Sequence, residues 1–150
     1  MTTPLLTRRT ILRAAAAAPF ALGGPVHAEK AVSMKIRIAF ADHTMSATLE
    51  DNPSARDLAS MLPLLDLKID DYAHNEKIAY LPRKLTEAGS DRFSDERPGD
   101  LCYYAPWGNL ALFYGEYHWS RGLIRLGRID GSFEPLLTRG EFPLQIDLIR

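Results

Sequence analysis

The chain has 150 residues, 46% of them hydrophobic and 25% charged, enough for one ordinary soluble domain and too few for two full-sized ones. Eighteen Lys and Arg against nineteen Asp and Glu leave a formal charge of −1, so no basic excess points to nucleic acid. Ten Gly and ten Pro spread through a mixed composition exclude collagen-like, low-complexity and wholly disordered chains.

Residues 1–28 read as an export signal. Arg8, Arg9 and Arg13 are the only charged side chains there, an Ala-rich apolar stretch runs from Ala14 to Leu22, and Gly23-Gly24-Pro25 breaks it. Val26-His27-Ala28 offers small residues at both positions a signal peptidase needs, so cleavage is expected after Ala28. Thr7-Arg8-Arg9-Thr10-Ile11-Leu12-Arg13 resembles the twin-arginine export signal, with Ile11 at the usual Phe and Arg13 at the usual Lys. The alternative is an amphipathic helix or a retained anchor, but the interrupted run is shorter than the roughly 20 apolar residues of a spanning helix, so no stable membrane anchor is expected after cleavage. Residues 29–33 read as a linker. The 122 residues after Ala28 hold 15 basic and 19 acidic side chains, a net of −4. Cys102 is the only cysteine, so even in an oxidising compartment no internal disulfide forms.

From residue 34 to 150 the pattern is mainly β. Lys35 to Phe40 and Met45 to Glu50 alternate polar and apolar residues around the turn Asp42-His43-Thr44, as a hairpin does. Asn52 is placed to cap a helix with Pro53 in its first turn, and Ala55, Leu58, Ala59 and Leu62 form its apolar stripe before Pro63. Leu65 to Ile69 and Glu76 to Tyr80 are further strands, separated by an expected polar loop from Asp70 to Asn75. Thr86 to Pro98 is a long polar excursion. Leu101 to Ala105 and Leu110 to Tyr114, joined by Pro106-Trp107-Gly108-Asn109, are almost free of charge, as central strands are. Leu123 to Ile129 is another strand, Phe133 to Leu137 a short helix or turn, and Leu144 to Ile149 a regular terminal strand suited to closing a barrel.

The run Gly99-Asp100-Leu101-Cys102-Tyr103-Tyr104-Ala105-Pro106-Trp107-Gly108-Asn109-Leu110-Ala111-Leu112-Phe113-Tyr114-Gly115 resembles the core motif of the small bacterial cyclophilin-like proteins. Leu49 to Ala55, Asn75 to Pro82 and Leu126-Gly127-Arg128-Ile129 agree with it in the expected order. The resemblance implies a closed cyclophilin-like β-barrel with one or two short capping helices. It does not imply prolyl isomerase activity. The Phe-His-Arg strand, the Phe-Met-x-Gln segment and the Gly-Ser-Gln-Phe-Phe strand of catalytic cyclophilins are missing, and the one Gln is Gln145. A fold resemblance warrants no function by itself.

The candidate site is the corner at Trp107, set at a barrel rim beside Tyr103 or Tyr104 and Phe113 or Tyr114, since alternation sends neighbours to opposite faces. Tyr104, Trp107, Asn109 and Tyr114 combine flat apolar area with hydrogen-bonding groups, as a small-molecule or peptide pocket requires; the alternative is core filling. Glu116 and His118 are the catalytic candidates, because a carboxylate beside an imidazole tunes it for acid–base work, against a plain solvated loop. Arg125 is a candidate for a ligand carboxylate or phosphate, and Arg128 for that or for a structural ion pair. Asp70, Asp71, His74 and Glu76 match no metal spacing and read as a solvated turn. Cys102, within an apolar strand, reads as buried and inert. No cofactor, metal or nucleic-acid partner is called for. The three function classes left are a ligand-binding domain, a periplasmic isomerase or other enzyme, and an accessory interaction module.

Overall fold

The computed structural model describes residues 16–19, 23–24 and 32–150. The chain divides into two units, Met1–Lys30 and Ala31–Arg150, and the fold described is that of the second. The expected export motif, its cleavage site and most of the linker lie outside the described residues.

Eight strands form the second unit: β1 (Lys35–Phe40), β2 (His43–Leu49), β3 (Leu64–Tyr72), β4 (Glu76–Tyr80), β5 (Asp100–Tyr104), β6 (Asn109–Phe113), β7 (Leu123–Ile129) and β8 (Phe142–Ile149). They pair antiparallel in the order β1-β2-β7-β5-β6-β4-β3-β8, and β8 pairs back onto β1 with Lys35 opposite Ile149 and Phe40 opposite Leu144. The terminal strand does close a barrel, and closure leaves no edge to recruit another chain.

The expected period-2 alternation sorts the side chains. Ile36, Ile38 and Phe40 of β1, Met45, Ala47 and Leu49 of β2, Leu101 and Tyr103 of β5, and Leu110 and Leu112 of β6 point inward and are buried in one cluster. A barrel of this size has just enough interior for side chains to fill. One short helix, α1 (Pro53–Met61), starts as expected: the Asn52 side chain accepts from the Ala55 amide at 2.8 Å and Pro53 takes the first turn. Ala55 and Leu58 are buried in the interior cluster. The expected element after Phe133 is a single 3-10 turn, Glu134–Leu137, which buries Leu136. Among the described residues no helix is long and apolar enough to cross a membrane.

The first half of the segment expected to be a polar loop at Asp70 to Asn75, Asp70 to Tyr72, is strand, and only Ala73 to Asn75 form the turn. β3 runs on to Tyr72, pairing Asp70 with Ile78, Asp71 with Lys77 and Tyr72 with Glu76. The reason lies inside the barrel. Lys77 is fully buried, its ammonium donating to Asp71 Oδ1 at 2.9 Å and to the Gly140 carbonyl at 3.2 Å. It also stands 5.8 and 5.7 Å from the ring centroids of Phe40 and Phe142, a cation–π distance. Burial alone pushes the Asp71 carboxyl up, but Lys77 and the Gly140 amide outweigh it and hold it below the ordinary value. A polar-looking stretch is thus a strand because its charges are satisfied by each other.

Candidate functional site

β5 and β6 meet in a four-residue connection, with Tyr104 opposite Asn109. Gly108 has φ +73, a conformation that favours glycine, and both Trp107 N and Gly108 N donate to the Tyr104 carbonyl. This tight turn lifts Trp107 out, 48% exposed. Tyr72 and Tyr104 flank it edge-on, with ring centroids 5.3 and 5.5 Å away and interplanar angles of 88° and 80°.

Outward residues of β4, β6 and β5 continue the surface. Glu76 lies opposite Phe113, Ile78 opposite Ala111, and Ala111 opposite Cys102. The single methyl of Ala111 between Asn109 and Phe113 lowers the floor, and the loop after β6 raises a wall. A cavity of about 500 Å³ results, lined among others by Tyr72, Glu76, Trp107, Asn109, Phe113 and His118. It lies on the outer face of the sheet, so the expected rim position is only partly right: Trp107 stands at the turn, and the cavity extends from it across the strands.

The far wall is rigidly built. Tyr117 stacks on Phe113, and its hydroxyl donates to Asp100 Oδ2 at 2.6 Å. Burial, the Cys102 thiol and Asp100 together raise the Tyr117 phenol far above its usual range. Cys102 is fully buried beside it, with Sγ 3.6 Å from that hydroxyl, and burial pushes its thiol up to about 12. A thiol in that state is not a nucleophile near neutral pH.

Of the sequence candidates, Tyr104, Trp107, Asn109, Glu116 and His118 line the cavity. Tyr114 and Arg125 do not. Alternation turns Tyr114 away from Phe113, and its hydroxyl accepts from Arg139 at 2.9 Å. Arg125 bonds Glu50 Oε1 through Nε at 2.5 Å and Asp95 Oδ1 through Nη1 at 2.8 Å. Arg128 joins it by donating to Asp100 Oδ1 at 2.7 Å and Asp95 Oδ2 at 2.9 Å. Residues three apart in a regular strand face opposite sides, but the β5–β7 register shifts between Leu101 and Cys102. This bulge puts both guanidinium groups where they clamp Asp95 of the long excursion. Both arginines are therefore already paired in structural contacts.

Glu76, expected with Asp70, Asp71 and His74 in a solvated turn, stands apart from them: Asp71 faces the barrel interior and Glu76 the outer cavity, so the four do not converge. Among the described residues the Glu76 carboxylate has no hydrogen bond or ion pair, and burial raises it from 4.5 to about 7. Its cross-strand neighbours Tyr72 and Phe113 explain the desolvation. Asn109 is 2% exposed; its Nδ2 donates to the Leu110 carbonyl at 2.9 Å, while its buried Oδ1 has no partner among the described residues.

A closed antiparallel barrel with one short helix and an aromatic cavity on its outer face defines the class of protein. The chain belongs to the Cyclophilin-like family, whose sequence model matches residues 38–147. Among solved structures it is similar to a hypothetical protein from Archaeoglobus fulgidus, known from a solution structure, at 18% identity and a TM-score of 0.56, over 80% of this chain and 98% of that one. That likeness concerns the fold. No curated protein matches the chain.

Proposed function

We propose that the protein is exported and that its mature domain binds a small-molecule or peptidic ligand in the outer-face cavity beside Trp107. The carrying observation is the convergence, around one cavity, of exposed Trp107, partnerless Glu76 and the orphaned Oδ1 of Asn109. Buried polar groups in a folded protein are normally paired, and an unmade hydrogen bond costs about 1–3 kcal/mol. A ligand donor that reached that oxygen would recover the cost. For export, support comes from Arg8-Arg9, the Ala-rich stretch and the small residues ending at Ala28.

The test is native mass spectrometry of the protein purified from its own periplasm, beside Trp107→Ala. The expected result is a chain starting at Glu29 that carries a bound mass, with that mass missing from Trp107→Ala although its melting temperature is nearly unchanged. An unprocessed chain removes the export reading. Equal bound mass in both forms removes the cavity as the binding site.

A further inference from the structure

The ligand class follows from the charges and rings around the cavity, and this inference rests on the binding role just proposed. Glu76 and Glu116 contribute carboxylates, and no Lys or Arg is among the lining residues. On the barrel wall Arg125 and Arg128 are held by Glu50, Asp95 and Asp100, and Lys77, next to Glu76 in sequence, points into the barrel and pairs with Asp71. An anion entering the cavity therefore meets two lining carboxylates and no lining Lys or Arg. A cation meets the reverse. Tyr72 and Tyr104 stand nearly perpendicular to Trp107, so three rings bound one corner from different directions, the arrangement that attracts cations through ring quadrupoles. Tyr72 is directly opposite Glu76 across β3 and β4, which joins that corner to the carboxylate. Asn109 Oδ1 adds an acceptor with no donor.

A second recess, about 750 Å³ in volume, lies between the β1–β2 hairpin and the 3-10 turn and includes His43 and Asp130. There Asp130 accepts from Lys35, Ser46 and Thr48, and His43 Nε2 bonds Thr138.

We propose that the outer-face cavity selects an organic cation carrying N–H donors, an ammonium, amidinium or guanidinium group, held by the Glu76 carboxylate with its apolar body against Trp107 and Tyr104. The cation does not react; it replaces water around a carboxylate that the protein leaves unpaired. Glu76 must be ionised for this role. The titratable groups lining the same cavity are Tyr72 from β3, Tyr104 from β5, and Glu116, Tyr117 and His118 from the loop after β6. Burial of the Glu76 carboxyl among these groups raises it to about 7, so its ionisation makes cation affinity rise with pH.

The probes are benzamidinium, benzamide and benzoate, near-isosteric and cationic, neutral and anionic respectively, titrated by calorimetry into the mature protein. Benzamidinium is expected to bind at least about tenfold tighter than benzamide, a difference of about 1.4 kcal/mol, and benzoate most weakly. Between pH 5.5 and 8 its affinity rises in the wild type. In Glu76→Gln the preference over benzamide collapses, and the rise of affinity with pH is lost with it. Benzamide binding as tightly as benzamidinium, benzoate binding tightest, or no binding of any of the three overturns the cation preference. If benzamidinium binds but Trp107→Ala leaves its affinity unchanged, the ligand lies elsewhere and the cavity's binding role itself falls. The wild-type comparison of the three probes stands even if a variant fails to fold.

Discussion

Tyr117 lies flat on Phe113, ring centroids 3.6 Å apart and planes 6° from parallel, while its hydroxyl donates to the fully buried Asp100 at 2.6 Å. One residue of a loop without regular secondary structure thus ties the cavity wall both to β6 and to a buried carboxylate. Asp100 also accepts from Arg128 Nε and from the Arg97 amide, so wall, excursion and barrel share one acceptor. Tyr117→Phe keeps the stack and removes one charge-assisted donor. The expected cost is about 1–3 kcal/mol, read by urea unfolding. Asp100→Ala strands Arg128 and Tyr117 together and is expected to cost more than Tyr117→Phe.

The buried Lys77–Asp71 pair predicts an asymmetric response. Asp71→Ala leaves the Lys77 ammonium inside the barrel without its carboxylate, with the Gly140 carbonyl as its remaining hydrogen-bond acceptor, at an expected cost of about 3–5 kcal/mol. Lys77→Met with Asp71→Ala removes both charges and keeps much of the interior volume. The double variant is expected to be more stable than Asp71→Ala alone. A double variant that unfolds at lower urea would show instead that the pair is a net stabiliser.

Glu76 and the aspartates impose opposite pH dependences. A carboxyl raised to about 7 in the folded state binds more protons folded than unfolded between about 4.5 and 7, so its contribution is full below 4.5 and is lost as pH rises through 7. Glu76→Gln is expected to be more stable than the wild type at pH 8 by about 1–2 kcal/mol, reduced from the full linkage value because the group is partly solvated. At pH 4 the two are expected to be equal. Thermal melts at the two pH values check the sign.

Asp95 is held at about 2 by Arg125 and Arg128, and Asp57, paired with Arg83, is also lowered. Both groups have depressed folded values, so their contribution is present above 3.8 and is lost as pH falls below it, for Asp95 through about 2. Acid unfolding is therefore expected to steepen below about pH 4. Arg125→Met/Arg128→Met removes the partners of Asp95, and its acid transition is expected to be shallower in that range.

Gly127 is the position where β7 touches β2 most closely. A Cβ there would come within 2.3 Å of the Thr48 carbonyl oxygen and 3.0 Å of Leu49 Cα, both backbone atoms that cannot swing away. Gly127→Ala is expected to destabilise by about 2–4 kcal/mol or abolish folding, whereas Gly131→Ala, with nothing within 4 Å but φ +70, is expected to cost about 1 kcal/mol. Circular dichroism melts of the pair separate the clash from backbone strain.

The strand order along the chain, the capped helix, the closing strand and the Trp107 turn were legible in the sequence because each rests on local chemistry: period-2 alternation, Asn-Pro at a helix start, Gly in a tight turn. Alternation sends Tyr103 and Tyr104, and Phe113 and Tyr114, to opposite faces but leaves open which of each pair turns inward; the structure puts Tyr103 in the core and Phe113, not Tyr114, in the cavity. Three features depended on contacts between residues far apart in the chain. Lys77 looks like a solvent-facing residue until Asp71 and Gly140 surround it, and this turned a polar loop into strand. Arg125 and Arg128 have odd spacing, and only a bulge against β5 brings both to Asp95 and Asp100. Glu76 looks like any charged strand residue until Tyr72 and Phe113 pair across from it and remove its water. Sequence by itself determined where most strands lie and that neighbours along a strand take opposite faces, because those choices are set by near neighbours. The tertiary structure decided which charges are satisfied and which are left open, because pairing and desolvation depend on what the closed barrel brings alongside.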